Sequence, residues 1–272
     1  MAGDLGEAMR SRVLVCDGDV VAAAMLRGAS ARAVAEACVT DPESLRRLYR
    51  EYRAAGADVL QTPTASTSAA HLELLGSAPA PADIWSSAVR LCRQEAFGAF
   101  VAATVGPPPD GPAAWAEADL ETLYRRQIEV FADCAPDILL LRGLRQVAQL
   151  RAALQASCSS GIPLVVTVPA DHGPDGADAD SLSRALSQAA VGLSPVAVGA
   201  TGNEASHLLP LLRALSQAMD LPLVAQWGPG AAEHTGREAA ELIAAGARIV
   251  GGAAGMPPAQ IALVARAAKA LA

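Results

Sequence analysis

Residues 41–61 read DPESLRRLYREYRAAGADVLQ, an amphipathic helix that runs within a few residues into a short apolar strand. Thr40 and Glu43 have the spacing of a capping box, Pro42 stands in the first turn, and Gly56 is placed to close the far end. Leu45, Leu48, Tyr49 and Tyr52 share one stripe at a 3.6-residue period, so this helix has a face to bury. Residues 58–61 supply the strand. Outward from this unit, apolar runs recur at 13–15, 100–105, 137–141, 163–168, 195–198, 222–225 and 247–250. Helical segments separate them, among them one from Ser206 that carries Leu208, Leu211, Leu212 and Leu215, and a last one over residues 259–271. Strands joined through helices pair in parallel, and eight such units without a long linker predict a single-domain α/β fold, a (β/α)8 barrel over residues 12–272. Residues 1–11 are read as an N-terminal extension. The Asp17-Gly18-Asp19 turn after the first strand is no dinucleotide fingerprint, which leaves a doubly wound sheet little support.

The composition suits that fold. Of the 272 residues 52% are apolar but only 3% aromatic, so Ala, Val and Leu must fill the core, which favours close packing of helix on strand. A net charge of −7 argues against nucleic acid or an anionic membrane as partner, because both demand a basic surface. No run has the length and purity of a membrane span, and the first residues lack the apolar core of a secretion signal. Cys16, Cys38, Cys92, Cys134 and Cys158 are odd in number and include no Cys-x-x-Cys pair, which points to a reducing cytoplasm rather than a disulfide framework.

In a barrel of this kind chemistry gathers where strands end, so the residues after each apolar run are the candidates. They include Asp17 and Asp19, Gln61, Thr62 and Thr64, Arg142 and Gly143, Thr201 to Asn203, Gln226 and Trp227, and the glycines of residues 251–255. Gly251, Gly252 and Gly255, with Gly228 and Gly230, have the composition of a backbone anion loop, although inherited turn glycines read the same way. His172 and His234 follow strands and, with Asp17 or Asp171, are candidates for a His-carboxylate site; His71 and His207 read as ordinary helix-start or surface residues. Adjacent strand residues point to opposite faces, so if Asp17 faces the mouth, Cys16 faces the helices.

Two stretches carry a resemblance. Residues 41–61 and the closing GGAAGMPPAQI of residues 251–261 resemble segments of the homocysteine S-methyltransferase family. The resemblance implies a (β/α)8 barrel whose members hold zinc with three cysteines, one after strand six and an adjacent pair after strand eight. The matching positions here are Gly202, Ala253 and Ala254, none of which has a donor atom. The glutamate that holds the substrate amine in the family is matched by Arg142, which reverses the charge. The family's Thr-Asn-Thr-Phe after strand two reads Thr62-Pro63-Thr64-Ala65, while Asp17 stands as the family has it. Zinc is therefore expected absent and no cofactor is expected. The expected ligand-binding residues at the mouth are Asp17, Gln61, Thr62, Arg142, Thr201, Gln226 and Trp227. Three functions follow: a degenerate member that acts as a binding, regulatory or scaffolding protein, a metal-independent enzyme that takes an anionic small molecule through Arg142, or a methyltransferase acting on homocysteine or a related thiol. A small-molecule ligand and a protein partner are the expected kinds of partner. A mouth packed by Trp227, Met256 and Val20 would point to a structural role, and an open polar one to ligand binding.

Overall fold

The computed structural model describes residues 4–109, 115–170, 184 and 195–271. Eight parallel strands close on themselves in sequence order: β1 (Leu14–Cys16), β2 (Val59–Gln61), β3 (Phe100–Val105), β4 (Ile138–Arg142), β5 (Leu164–Pro169), β6 (Ala197–Gly202), β7 (Leu223–Trp227) and β8 (Ala247–Gly252). Closure is made by β1 on β8, with Leu14 opposite Ile249 and Cys16 opposite Gly251. Each apolar run anticipated from the sequence is one of these strands, and several continue a few residues further toward the mouth. Among the described helices none is long and apolar enough to cross a membrane.

The two-residue period of the strands divides the core into an inner and an outer layer. Inside the barrel lie Leu14, Val59, Phe100, Ile138, Val165 and Ile249. Their strand neighbours Val15, Leu60, Val101, Leu139, Val166 and Val250 face outward into the layer shared with the helices. A first helix, α1 (Leu5–Ser11), sends Leu5 and Met9 into the inner layer, and Arg248 of β8 donates to the carbonyl oxygens of Met9 and Arg10 at 2.7 and 3.1 Å. Helix α1 is thus a plug at the end of the barrel opposite the mouth.

After β1 come α2 (Val20–Leu26), α3 (Ala31–Thr40) and α4 (Pro42–Ala54). The apolar stripe of α4 is buried as its period requires, and its tyrosines also reach the barrel rim: Tyr49 donates to the Gln61 carbonyl at 2.8 Å and Tyr52 to that of Met256 at 2.9 Å. Both hydroxyls are buried, so each needs such a partner. The expected capping box does not form. Thr40 is the last residue of α3 and donates back to the Glu36 carbonyl, while Glu43 pairs with Arg50 and Arg46; Asp41 takes the cap position without a side-chain bond. Two helices meeting with no loop between them leave Thr40 in helical backbone, where its hydroxyl turns to its own helix.

Candidate active site

A cavity of about 610 Å³ opens at the carboxyl ends of the strands. Arg142, the last residue of β4, and Asp19, at the start of α2, pair on its wall, with Arg142 Nη2 3.0 Å from Asp19 Oδ2 and both side chains largely covered. Asp19 adopts a left-handed backbone (φ 73°), uncommon for a residue with a Cβ, and its Oδ1 accepts from the amides of Val21 and Ala22 at 3.1 and 3.2 Å. Cap bonds on one oxygen and an ion pair on the other hold this carboxylate in place. Arg145, Gln146 and Gln149 flank Arg142, and Asn203 and His71 complete the polar wall. The Gln149 side-chain oxygen is buried and makes no hydrogen bond. His71, in α5 (Ala69–Leu74), has Nδ1 2.9 Å from the Ser68 hydroxyl.

Gly202, Ala253 and Ala254 all line this cavity. The three positions that the family resemblance assigns to zinc are therefore brought to one place, as the resemblance requires. None of them offers sulfur, imidazole or carboxylate. Among the described residues no group of three or more His, Cys, Asp or Glu is disposed to hold a metal ion. The described residues at these three positions offer zinc no ligand.

Of the mouth residues expected from sequence, Arg142 and Thr201 line the cavity. Asp17, Gln61, Thr62 and Gln226 are buried beneath it. Asp17 Oδ2 accepts from the Gln61 amide at 2.7 Å, and Oδ1 accepts from Gln61 Nε2 at 2.8 Å and from the Asp19 amide at 3.1 Å. Gln226 Nε2 donates in turn to Gln61 Oε1 at 3.0 Å. Burial pushes the Asp17 carboxyl up to about 6, against the three hydrogen bonds that favour its charge. Thr62 and Thr64 share a 2.6 Å hydrogen bond and tie the β2 loop to the Thr104 backbone. These residues form a polar floor that braces the mouth.

Trp227 departs from the expectation. Gln226 takes the inward side of β7, so Trp227 points outward, buried in the helix layer with its indole N–H 3.2 Å from Glu238 Oε2. Cys16 is also corrected: it lies in the inner layer with Val59 and Ile249, because β1 ends there and Asp17, folded over onto Gln61, no longer follows the strand alternation. Burial raises the Cys16 thiol pKa far above its ordinary value. His234 is exposed on the helix Ala232–Ala244, and Asp171 and His172 lie outside the described residues.

The glycines of the last turn are packed tightly. A Cβ on Gly251 would stand 2.6 Å from Cys16 Cβ, and one on Gly252 2.6 Å from Gly18 Cα. The Gly252 amide donates to the Asp17 carbonyl and the Ala253 amide to that of Trp227. These amides serve the barrel frame, which accounts for the glycines without a bound anion. Sequence reasoning passed over His71, Arg145, Gln146 and Gln149 as site residues. The basic pair in Arg142-Gly143-Leu144-Arg145, directly after a strand, was the available signal; the place of His71 depends on how its short helix folds over the rim.

Comparison with known proteins agrees with this geometry. The homocysteine S-methyltransferase family profile matches residues 3–268. Betaine–homocysteine S-methyltransferase 1 of Mus musculus is 31% identical over 172 residues, covering 60% of this chain and 42% of the mouse protein; that of Sus scrofa is also 31% identical, covering 60% and 61%. The chain thus spans less than two thirds of these relatives. Among solved structures, the metallated homocysteine methyltransferase MmuM from Escherichia coli superposes with a TM-score of 0.80 at 21% identity, over 95% of this chain and 99% of that one. The carboxyl transferase domain of Rhizobium etli pyruvate carboxylase gives 0.57 at 14% identity, over 98% and 49%, a likeness of fold alone. The chain belongs to the homocysteine S-methyltransferase family.

Proposed function

Proceeding from that membership, we propose that this barrel binds a small anionic or zwitterionic molecule at its mouth and does not carry out zinc-thiolate methyl transfer. The observation that carries the reading is the set Gly202, Ala253 and Ala254, gathered at one cavity and without a donor atom among them. Zinc ligated by thiolates would supply the means of ionising a substrate thiol. A free thiol with a pKa near ~8.5 is only a few per cent ionised at neutral pH. What the mouth offers instead is charge recognition. Arg142 suits a carboxylate or phosphate, with Arg145 beside it, and Asp19 holds the Arg142 guanidinium in place. Gln149, with its unpartnered buried oxygen, is an acceptor for a donor group on the ligand. Trp227, Met256 and Val20 are buried outside the cavity and leave the mouth open, which supports ligand binding over a purely structural role.

The reading is tested by the zinc content of the purified chain after dialysis against metal-free buffer, together with an assay for methyl transfer from betaine to homocysteine. Zinc near zero and no methylated thiol are expected. About one zinc per chain, or turnover, overturns the proposal and favours the methyltransferase reading. A metal-independent reaction on an anionic substrate has one observation in its favour, the placement of His71 on the cavity wall as the group able to move a proton.

A further inference from the structure

A second cavity, of about 340 Å³, lies beside the mouth between α2, α3 and α5. Its lining is almost wholly apolar, with Val21, Met25, Val34, Leu74 and Leu75 prominent. Ser66 and His71 line both this chamber and the mouth cavity, so the two adjoin across a shared wall. Beside them on the mouth side stands Ala65, so small side chains make up much of the divide. Thr67, on the chamber side, is held by Trp85, whose indole N–H donates to the Thr67 carbonyl at 2.8 Å. Met25 and Leu74 are 46% and 72% exposed at the chamber, large apolar surface of the kind that marks a binding site when it is contiguous with one.

The polarity of the two compartments differs in a way that specifies a ligand. Among the described residues, on one side of the Ser66 and His71 wall stand two guanidinium groups and the Asp19 carboxylate; on the other stand aliphatic and thioether side chains. We propose that the two cavities form one bipartite site for an amphiphilic carboxylate, its anionic head toward Arg142 and Arg145 and its apolar tail in the chamber. The proposal rests on the binding role assigned to the mouth and extends it by naming the chemical class of ligand. The occupant of the chamber is the tail of the same small molecule, because Ser66 and His71 border both compartments and each compartment alone recognises only half of such a ligand.

The test is calorimetric titration of the full chain with butyrate and with octanoate, using the wild type, Arg142→Gln, Ala31→Trp and Leu74→Ser. Ala31 is exposed and lines the chamber but not the mouth, so a Trp there fills the chamber while the charged wall is untouched. Octanoate is expected to bind at least about tenfold tighter than butyrate, from the four added methylenes leaving water. Ala31→Trp should erase most of that advantage and leave butyrate binding unchanged. Leu74→Ser should reduce it in part, and serves in its place if Ala31→Trp does not fold; Arg142→Gln should weaken both ligands. Equal affinities in the wild type, or an octanoate advantage indifferent to both chamber variants, overturn the bipartite site while Arg142-dependent butyrate binding leaves the mouth reading standing. No binding of either carboxylate overturns both.

Discussion

The segment after β8 and the segment after β4 border the same cavity and have been put to different uses. After β8 the backbone is fixed by contact: Gly251 and Gly252 abut Cys16 and Gly18 with no room for a Cβ, and the Ala253 amide is tied to Trp227. After β4 the backbone has room. Gly143 takes a left-handed conformation (φ 74°) with nothing within 4 Å of where a Cβ would stand, and the side chains on either side, Arg142 and Arg145, set the charge of the mouth. One segment is held by packing and presents two methyl groups at the positions that the resemblance assigns to the family's metal. The other carries its charge where packing permits change. Frame and mouth chemistry in this barrel are thus separable, since packing constrains the first and leaves the second free to vary.

The largest test of that separation is to put the missing atoms back. If the frame after β6 and β8 is intact, the triple variant Gly202→Cys, Ala253→Cys, Ala254→Cys should take up about one zinc per chain, read by plasma mass spectrometry, while the wild type retains almost none. Thiolate sites in small domains bind zinc with about 10 to 16 kcal/mol, so even a badly compromised site would register. Failure of a folded triple variant to hold zinc would show that the frame has moved along with the chemistry.

A smaller effect is expected from crowding the frame itself. Gly251→Val places a branched side chain 2.6 Å from the Cβ and the carbonyl oxygen of Cys16. Overpacking of this kind costs about 1 to 3 kcal/mol, and the backbone contact puts this case at or above the top of that range. Urea denaturation should show the loss as a lower midpoint with an unchanged slope. A cost below about 1 kcal/mol would mean that the closing turn is looser than its contacts indicate.

The polar floor supplies a test of intermediate size. The Asp17 carboxyl is raised to about 6 by burial, above its ordinary value of 3.8. A carboxyl raised on folding binds its proton more tightly in the native state, so its contribution to stability is fully present below about pH 4 and is lost as pH rises through 6. At about 1.4 kcal/mol per pKa unit the swing is on the order of 2 to 3 kcal/mol. The difference in stability between wild type and Asp17→Asn should therefore change in favour of the variant between pH 4 and 7. A difference that stays flat across this window would show that the three donors to Asp17 fully offset its burial.

These regions also differ in how far the sequence revealed them. Strand positions were legible because eight apolar runs are separated by helices, a pattern that packing enforces along the whole chain. That Gly202, Ala253 and Ala254 share one cavity was legible too, since it follows from strand ends in a closed barrel. Which way a residue points at a strand end was not. Trp227 faces the helices and Cys16 the barrel interior, because alternation must be counted from where a strand stops, and an offset of one residue reverses the face. The bases of the β4 segment were half legible: Arg142 drew attention by its charge, whereas Arg145 and Gln149 join the site only through the path the chain takes after β4.

The smallest expected effect is the control on which the comparison depends. Gly143→Ala introduces a methyl group into open space, so nothing is crowded and the only cost is a left-handed backbone for a residue with a Cβ, about 1 kcal/mol. Part of that is offset because alanine restricts the unfolded chain more than glycine does. Denaturation should then rank Gly143→Ala well below Gly251→Val, with butyrate binding nearly unchanged, since Arg142 and Asp19 keep their 3.0 Å pair. If instead Gly143→Ala weakens butyrate tenfold at little cost in stability, the β4 segment is a shaped part of the ligand site and not a permissive stretch of chain. The contrast would then lie between two constrained segments, one held by the barrel and one by the ligand.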